Sequence, residues 1–406
     1  MNFGSQSTLY YRGMGLFSHD KGGDILAFDV SDAGVGLLST STLTERNPTT
    51  MYMQVDKSVS ATENEKDSFK ETLASVERKL KDLSKKYKEK HHGLPSRMYC
   101  FLHSPWVVGH TRTIVYKKDE EFVFTNELKQ KLLDQDFEDL KKTGFGDGSS
   151  NSLYEHTFII ERKVISIELN GYQTSSYEGR KVKEVQIRVY VSVGEKQVIE
   201  TIEKAIKEYF HVSKIKFRSF LFASYSATTL LNPEKKSYIL VNIENESTEI
   251  SIVHDSILSD SRAFTAGSNL VIESLATFHR MAKEEIRSLM KLYGDDTHDP
   301  KALAPYEETF NKARGEWVGS LAKGLFILAQ GASLPSTVVV TAEGDLTGWF
   351  KDAVTKEEFT QHLLTDRKFD VILLSNPSFS TFFDIPGRSL NDAFLLIDSL
   401  YIHTRI

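Results

Sequence analysis

The sequence predicts an α/β protein made of two duplicated halves, with a smaller α+β unit inserted into the first. Three observations lead there. An apolar strand ending in a short acid or amide, a polar turn and a second apolar strand occurs twice, at Leu26 to Asp32 and at Leu240 to Glu246. The surrounding segments run hairpin, helix, insert, hairpin, helices, strand, helix, which is the order of a repeated α/β half. At 406 residues the chain is too long for one ordinary core and suggests two to three compact units.

The first hairpin is expected from Asp24 to Val30 and from Gly34 to Thr40, with a third strand over Met51 to Val55. A helix follows. Phe69, Leu73, Val76, Leu80, Leu83 and Tyr87 alternate spacings of four and three, so they share one stripe. The stripe is too short for a coiled-coil seam and is expected to pack on a sheet. The Lys-rich tail from Lys79 to Lys90 is read as the solvated face of that helix, and His91 and His92 as its end. Strands are expected at Arg97 to Leu102, Val107 to Tyr116, Thr157 to Leu169, Val185 to Val193 and Ile215 to Phe222. Helices are expected at Leu128 to Leu140 and Val198 to Phe210, and a loop at Gly144 to Ser150. In the second half, Tyr238 to Ile243 is a buried strand and Glu249 to Val253 a half-exposed one. Helical patterns cover Asn269 to Tyr293 and Pro305 to Ala329, Thr337 to Thr341 and Phe369 to Leu374 read as strands, and Leu390 to Ile402 closes with a helix.

Composition narrows the function. Hydrophobic residues at 40% and charged residues at 26% are a globular mixture, not a disordered one. Fifty-six acids against 50 bases give a net charge of −6, which argues against a nucleic-acid partner. The single cysteine, Cys100, sits in the apolar run Met98 to Leu102 and reads as a buried small residue; one thiol forms no internal disulfide. Residues 1–23 are Gly-, Ser- and Tyr-rich, a flexible segment and not a signal peptide. No window approaches the roughly 20 apolar residues of a membrane span, so a cytoplasmic protein is expected.

The two hairpins carry the functional signal. The first reads Asp29-Val30-Ser31-Asp32, and the second Asn242-Ile243-Glu244-Asn245-Glu246-Ser247-Thr248-Glu249. With their order and spacing they resemble the bacterial actin-like family of FtsA and PilM, within the actin and sugar-kinase ATPase superfamily, from about Asp24 to the end. The resemblance implies a two-lobed actin-like ATPase (ribonuclease H-like) fold with an inserted small α+β subdomain. It divides the chain into a first lobe from 24–93 and 218–237, an insert at 94–217, and a second lobe at 238–406 with a helical subdomain at about 268–332. In that family the two hairpins clasp the phosphates of ATP. Backbone N–H groups of the turns point at phosphate oxygens, glycine permits the approach, and the acid at the strand end positions magnesium.

Residue by residue, the resemblance assigns Asp29 to magnesium and Ser31, Ser247 and Thr248 to the phosphates, with Asp32 and Asn242 among the other cofactor-binding residues. Gly267, in Thr265-Ala266-Gly267-Ser268, and Gly344, in Thr341-Ala342-Glu343-Gly344, would let backbone approach the nucleoside. Glu249 is the only candidate to orient a hydrolytic water, so the activity implied is at most a weak ATPase. The motifs depart from the pattern. The family's glycines are missing from both turns, and Glu244 and Glu246 stand where phosphates would be cradled. Like charges about 4 Å apart repel by about 1 kcal/mol in water and about 4 kcal/mol at a partly screened protein site, so these acids oppose a triphosphate unless a cation intervenes.

The function implied is a cytoplasmic scaffold for cell division or for type IV pilus or secretion assembly, acting by self-assembly into filaments and by binding protein partners. Its alternative is a pseudo-ATPase that keeps the lobes and has lost ATP and Mg; a small-molecule kinase would need a catalytic aspartate that no segment presents. The terminal helix is expected to pack on the fold and not on lipid, so membrane contact would come through a partner at the inner face. The whole reading requires Asp29 and Asn242 to end equivalent strands and face one crevice.

Overall fold

Each hairpin opens a five-stranded sheet, and the two sheets repeat one strand order. The computed structural model describes residues 24–31, 34–41, 49–56, 65–91, 93–143, 157–212, 214–293, 303–329, 332–342, 346–356, 368–383 and 392–404. The first sheet contains β1 (Asp24–Val30), β2 (Val35–Ser41), β3 (Thr49–Asp56), β4 (Arg97–Leu102) and β9 (Ile215–Ser219), in the order β3-β2-β1-β4-β9. The second contains β10 (Tyr238–Ile243), β11 (Thr248–His254), β12 (Ile257–Phe264), β13 (Thr337–Thr341) and β14 (Asp370–Leu373), in the order β12-β11-β10-β13-β14. In both, the first strand pairs antiparallel with the second and parallel with the fourth. β1 and β10 are therefore equivalent strands.

Alternation along those strands sorts the core into layers. Leu26, Phe28 and Val30 point toward α1 (Glu65–Lys90) and α3 (Lys196–Lys207), while Ile239, Val241 and Ile243 point toward α5 (Ser268–His279), α7 (Glu307–Ala329) and α8 (Thr347–Lys356). The opposite faces, Ile25 and Ala27 on one sheet and Tyr238 and Leu240 on the other, share one central cluster. That cluster is filled by α4 (Phe220–Leu231) and α10 (Ala393–His403). Phe220 through Thr228 of α4 and all of α10 are buried, so both helices are apolar all round and need no amphipathic period.

This explains one expectation that fails. Ile215 to Phe222 reads as a strand, but the strand stops at Ser219 and the chain turns into α4 at Phe220. A wholly buried helix has no stripe, and its aromatic start mimics a strand. The predicted terminal helix is present and packs on the fold. The stripe of α1 is buried as predicted from Leu73 to Tyr87, and Lys85, Lys86, Lys88 and Lys90 are solvated. Lys79 departs from that face: it is buried, and burial lowers the affinity of its amine for a proton against the opposing charge of Asp56.

Between β4 and β9 the chain makes an antiparallel sheet of β5 (Val107–Phe124), β8 (Arg180–Glu195), β6 (Thr157–Leu169) and β7 (Tyr172–Gln173). α2 (Asn126–Thr143) covers one face through Leu132, Leu133 and Leu140. β4 itself lies in the middle of the first sheet, so the hydrogen-bonded insert begins after Leu102 and not at 94. Glu161 of β6 ties the insert to the rest: Oε1 accepts from the Ser219 N–H (3.0 Å) and Oε2 from the Tyr401 hydroxyl (3.1 Å).

Because α10 belongs to a core that both sheets share, truncating it should weaken the whole molecule. Leu396→Ala, at a fully buried position, is expected to cost about 2–5 kcal/mol. Urea unfolding followed by tryptophan fluorescence would show a lower midpoint in the first lobe (Trp106) and in the second (Trp317, Trp349).

Candidate functional site

The inner faces of the two sheets end in polar groups. The period of two that places Ile25 and Ala27 inward places Asp29 inward too, and the period of β10 does the same for Asn242 and, just past the strand, Glu244. All three are buried. Asp29 and Asn242 thus end equivalent strands beside the shared core. Asn242 is held by α4, its Oδ1 accepting from the Ser224 hydroxyl at 3.0 Å. It is Glu244, two residues later, that meets Asp29, and it does so through a histidine.

His103 directly follows β4, with its N–H bonded to the Val30 carbonyl at 3.1 Å. Its ring lies flat on Phe220 (centroids 3.9 Å, interplanar angle 12°) with the edge of Phe394 at 5.6 Å. Nδ1 donates to Glu244 Oε1 at 2.7 Å, and Nε2 stands 2.8 Å from Asp29 Oδ1. The Nε2 approach is off the ideal donor direction, so charge carries that contact more than a directed bond does. Burial alone would pull the imidazole down in pKa, but the carboxylates of Asp29 and Glu244 outweigh it and hold the ring well above its usual value. His103 is an imidazolium, fully buried, between one carboxylate from each lobe.

Two further acids stay neutral around it. Asp398, on the inner side of α10, is driven well above the ordinary carboxylate range by burial first and then by the charge of Asp29. The proximity of the Asp29 side chain adds to the same upward shift. Glu249, on β11, is pushed up to about 8 by burial and then by the charge of Glu244.

The start of α5 is closed as well. Helix N-termini present unpaired N–H groups that suit anions. Here the Ser268 N–H donates to the Glu244 carbonyl and the Asn269 N–H to the Asn245 carbonyl, each at 2.8 Å. The side chains repeat the pattern, Ser268 Oγ to Asn245 Oδ1 (3.2 Å) and Asn269 Nδ2 to Glu246 Oε1. Gly267 is the N-cap, and a Cβ there would lie 2.3 Å from the Asn245 carbonyl oxygen and 2.4 Å from that of Glu244. The glycine admits the chain's own turn.

The other expected site residues are distributed as follows. Ser31 is buried after β1, its N–H bonded to the Gly34 carbonyl at 3.0 Å. Ser247 is buried and its carbonyl closes the turn onto the Glu244 N–H at 2.9 Å. Thr248 faces the second lobe, where its hydroxyl donates to the Ala266 carbonyl (2.7 Å) and accepts from Trp317 Nε1 (3.2 Å). Asp32 and Gly344 lie outside the described residues. Sequence reasoning overlooked His103 and Asp398. The signal for Asp398 was present: a lone acid within Phe394-Leu-Leu-Ile-Asp398-Ser-Leu-Tyr401 occupies a segment with no polar face, and buried acids need partners.

These residues do not fit magnesium-bound nucleotide. The oxygen of Asp29 that would face a cation faces an imidazolium, and both nitrogens of that ring are turned to carboxylates, leaving no lone pair for a metal. The N–H groups of Ser31 and Glu244 in the turns, and of Ser268 and Asn269 at the start of α5, already hold carbonyls. Asn245 Nδ2 and Ser247 Oγ are buried without a protein partner, but the charge beside them is that of Glu244, which repels phosphate. Among the described residues no group of three or more His, Cys, Asp or Glu side chains is arranged to hold a metal ion.

No protein-family model and no curated sequence matches the chain. Solved structures do. A PilM–PilN type IV pilus biogenesis complex is similar with a TM-score of 0.58 at 12% identity, over 93% of this chain and 97% of that one. The ethanolamine utilization protein EutJ from Carboxydothermus hydrogenoformans matches at a TM-score of 0.43 and 11% identity, over 95% and 91%. A putative N-acetylmannosamine kinase from Listeria monocytogenes matches at 0.40 and 9%, over 93% and 98%. The chain has the actin-like ATPase fold.

Two outcomes are expected at this site. Glu249 has a folded-state value of about 8 against an ordinary 4.5, so the native state binds a proton that the unfolded state has released. Its contribution is complete below the unfolded value and is lost as pH rises through the folded one. The thermal midpoint of the protein should fall between about pH 5 and 8, and Glu249→Gln should flatten that fall; His103 adds a decline of the same sign above its unfolded value. Gly267→Ala should destabilise by about 1–3 kcal/mol in chemical denaturation, because the overlap is with fixed backbone.

Proposed function

We propose that the chain is a PilM-like scaffold, a pseudo-ATPase that recruits protein partners in pilus or secretion-platform assembly without magnesium-bound nucleotide. The reading rests on one observation: His103 bridges Asp29 and Glu244 between the lobes, and the turn carbonyls of Glu244 and Asn245 occupy the first N–H groups of α5. The likeness to PilM in its complex with PilN extends over nearly the whole of both chains, which supports a partner-binding role on this fold. The inserted sheet of β5, β6, β7 and β8 is the part we assign to contacts with neighbouring subunits or partners. No helix among the described residues is long and apolar enough to cross a membrane, so recruitment to the inner membrane face would come through a partner.

The nucleotide-responsive filament is the alternative this proposal displaces, because ATP would have to enter the cleft against Glu244.

Thermal melts of the purified chain with and without magnesium and millimolar ATP test the nucleotide half. A ligand present at 100 times its Kd stabilises by about 2.7 kcal/mol, so the expected absence of any shift excludes functional affinity. A magnesium-dependent rise that Asp29→Ala abolishes would overturn the proposal. For the partner half, the chain should co-sediment with membranes of its own cells equally well after nucleotide is removed by apyrase. Release by apyrase would count against it.

A further inference from the structure

We infer that His103 is a built-in cation that ties the two lobes shut, so that closure of this actin-like fold is a constitutive property of the chain and not a response to a ligand. The inference rests on the reading of the cleft as nucleotide-free and deepens it by naming what replaces the ligand.

Three features of the structure carry it. First, the ring spans the lobes: it belongs to the loop after β4 of the first sheet, touches Asp29 of β1, and donates to Glu244 in the β10–β11 turn of the second sheet. Second, the ring is built in: Phe220 of α4 stacks on one face and Phe394 of α10 abuts it, and neither the imidazole nor its partner atoms are solvated. Third, the turn that supplies Glu244 is itself tied down, since its carbonyls accept from the first N–H groups of α5 and it packs on Gly267 so closely that a Cβ there would overlap it. A cation held so rigidly transmits the position of one lobe to the other.

The alternatives available to such a cluster are weaker. A catalytic dyad would need a nucleophile or an open approach to the ring, and the neighbours of His103 are two carboxylates and two aromatic rings. A metal site would need a ring nitrogen with a free lone pair, and both nitrogens are turned to carboxylates. What remains is an ionic cross-link. The charged and titratable groups around it are Asp29 on β1, Glu244 on the turn, Asp398 with Asp392 on α10, and Glu249 on β11. Of these, Asp398 and Glu249 are held above the ordinary carboxylate range by burial, so they compete only weakly for the imidazolium.

Removing the ring while leaving its space is the decisive manipulation. His103→Gly should place the carboxylates of Asp29 and Glu244 opposite one another without a cation, and free imidazolium, which offers two N–H groups on one ring, should fit the gap. The native chain has one cysteine, Cys100, and it is buried. Spin labels on Lys85→Cys in α1 and Lys323→Cys in α7, both exposed, therefore report the distance between lobes.

In the otherwise native chain one narrow distance distribution is expected, unchanged by magnesium and ATP. In His103→Gly the distribution should lengthen and broaden and the thermal midpoint drop by about 5 °C or more. Millimolar imidazole should reverse both changes, whereas 1-methylimidazole, which keeps one ring N–H at most, should not. Asp398→Asn, which replaces a neutral group by a neutral donor, should leave the distance unaltered. An unchanged distribution in His103→Gly would overturn the inference, and so would equal rescue by 1-methylimidazole. Should His103→Gly fail to fold, Glu244→Gln keeps the volume and removes one charge of the tie; lengthening supports the inference and an unchanged distance sinks it. Magnesium-dependent ATP binding by the native chain would defeat the proposed function, yet the imidazole series would still read the tie by itself.

Discussion

A positive charge buried between two carboxylates, one from each half of a duplicated fold, sets the terms for the rest of this molecule. An uncompensated ion in a protein interior is expensive, and each of these three groups is tolerable only in the company of the others. Asp29 and Glu244 raise the proton affinity of His103, and the imidazolium in turn makes a pair of facing acids compatible with a core that contains α4 and α10. Glu244 would be an obstacle in a phosphate site. Beside His103 it is the second half of a pair.

Two buried histidines show that burial lowers the proton affinity of an imidazole and that carboxylate partners can reverse the shift. His403, at the end of α10, is pushed down to about 4 by burial and then by the charge of Arg97, and its Nε2 shares a hydrogen bond with the Thr40 hydroxyl at 3.0 Å. No carboxylate compensates it, so it stays neutral. His103 is equally buried, yet its proton affinity is raised, because two carboxylates reach it. The same helix that ends in the neutral histidine supplies Asp398 to the charged one and Tyr401 to Glu161 of the insert. One turn of α10 therefore stands in contact with the central charge cluster, and the next with the inserted subdomain.

Much of the fold could be read from the residues because periodicity reports which face is buried. The hairpins, the stripe of α1 and the repeated strand order all follow from alternation with period two or near four. Elements buried on every side escape this logic: α4 has no polar face, and Phe220 to Phe222 passed for the end of a strand. The site was legible only in part. Asp29 was found because it ends an apolar strand before a turn, and the departure at Glu244 was recognised as an electrostatic problem. Its solution was not, because His103 lies 141 residues away in sequence and nothing local marks it beyond its place after a buried strand. Long-range charge pairing has no period, and a single sequence does not encode it in any pattern that spacing can reveal.

The absence of glycine from the β10–β11 turn and the presence of acids there belong together physically. A phosphate-binding turn needs its N–H groups free and its surface without side chains, so that an anion can approach. Once the turn carbonyls cap α5, the helix N-terminus is satisfied internally and an anion there would displace existing bonds. An acid at 244 is then no longer opposed by ligand charge and is free to pair with His103. Gly267 is required for a related reason: it stands where two backbones meet, and a Cβ there would overlap the carbonyls of the turn. The surviving glycine is therefore no evidence for a nucleotide. It marks the point where the second lobe folds back on itself, and the imidazolium opposite is what holds that lobe against the first.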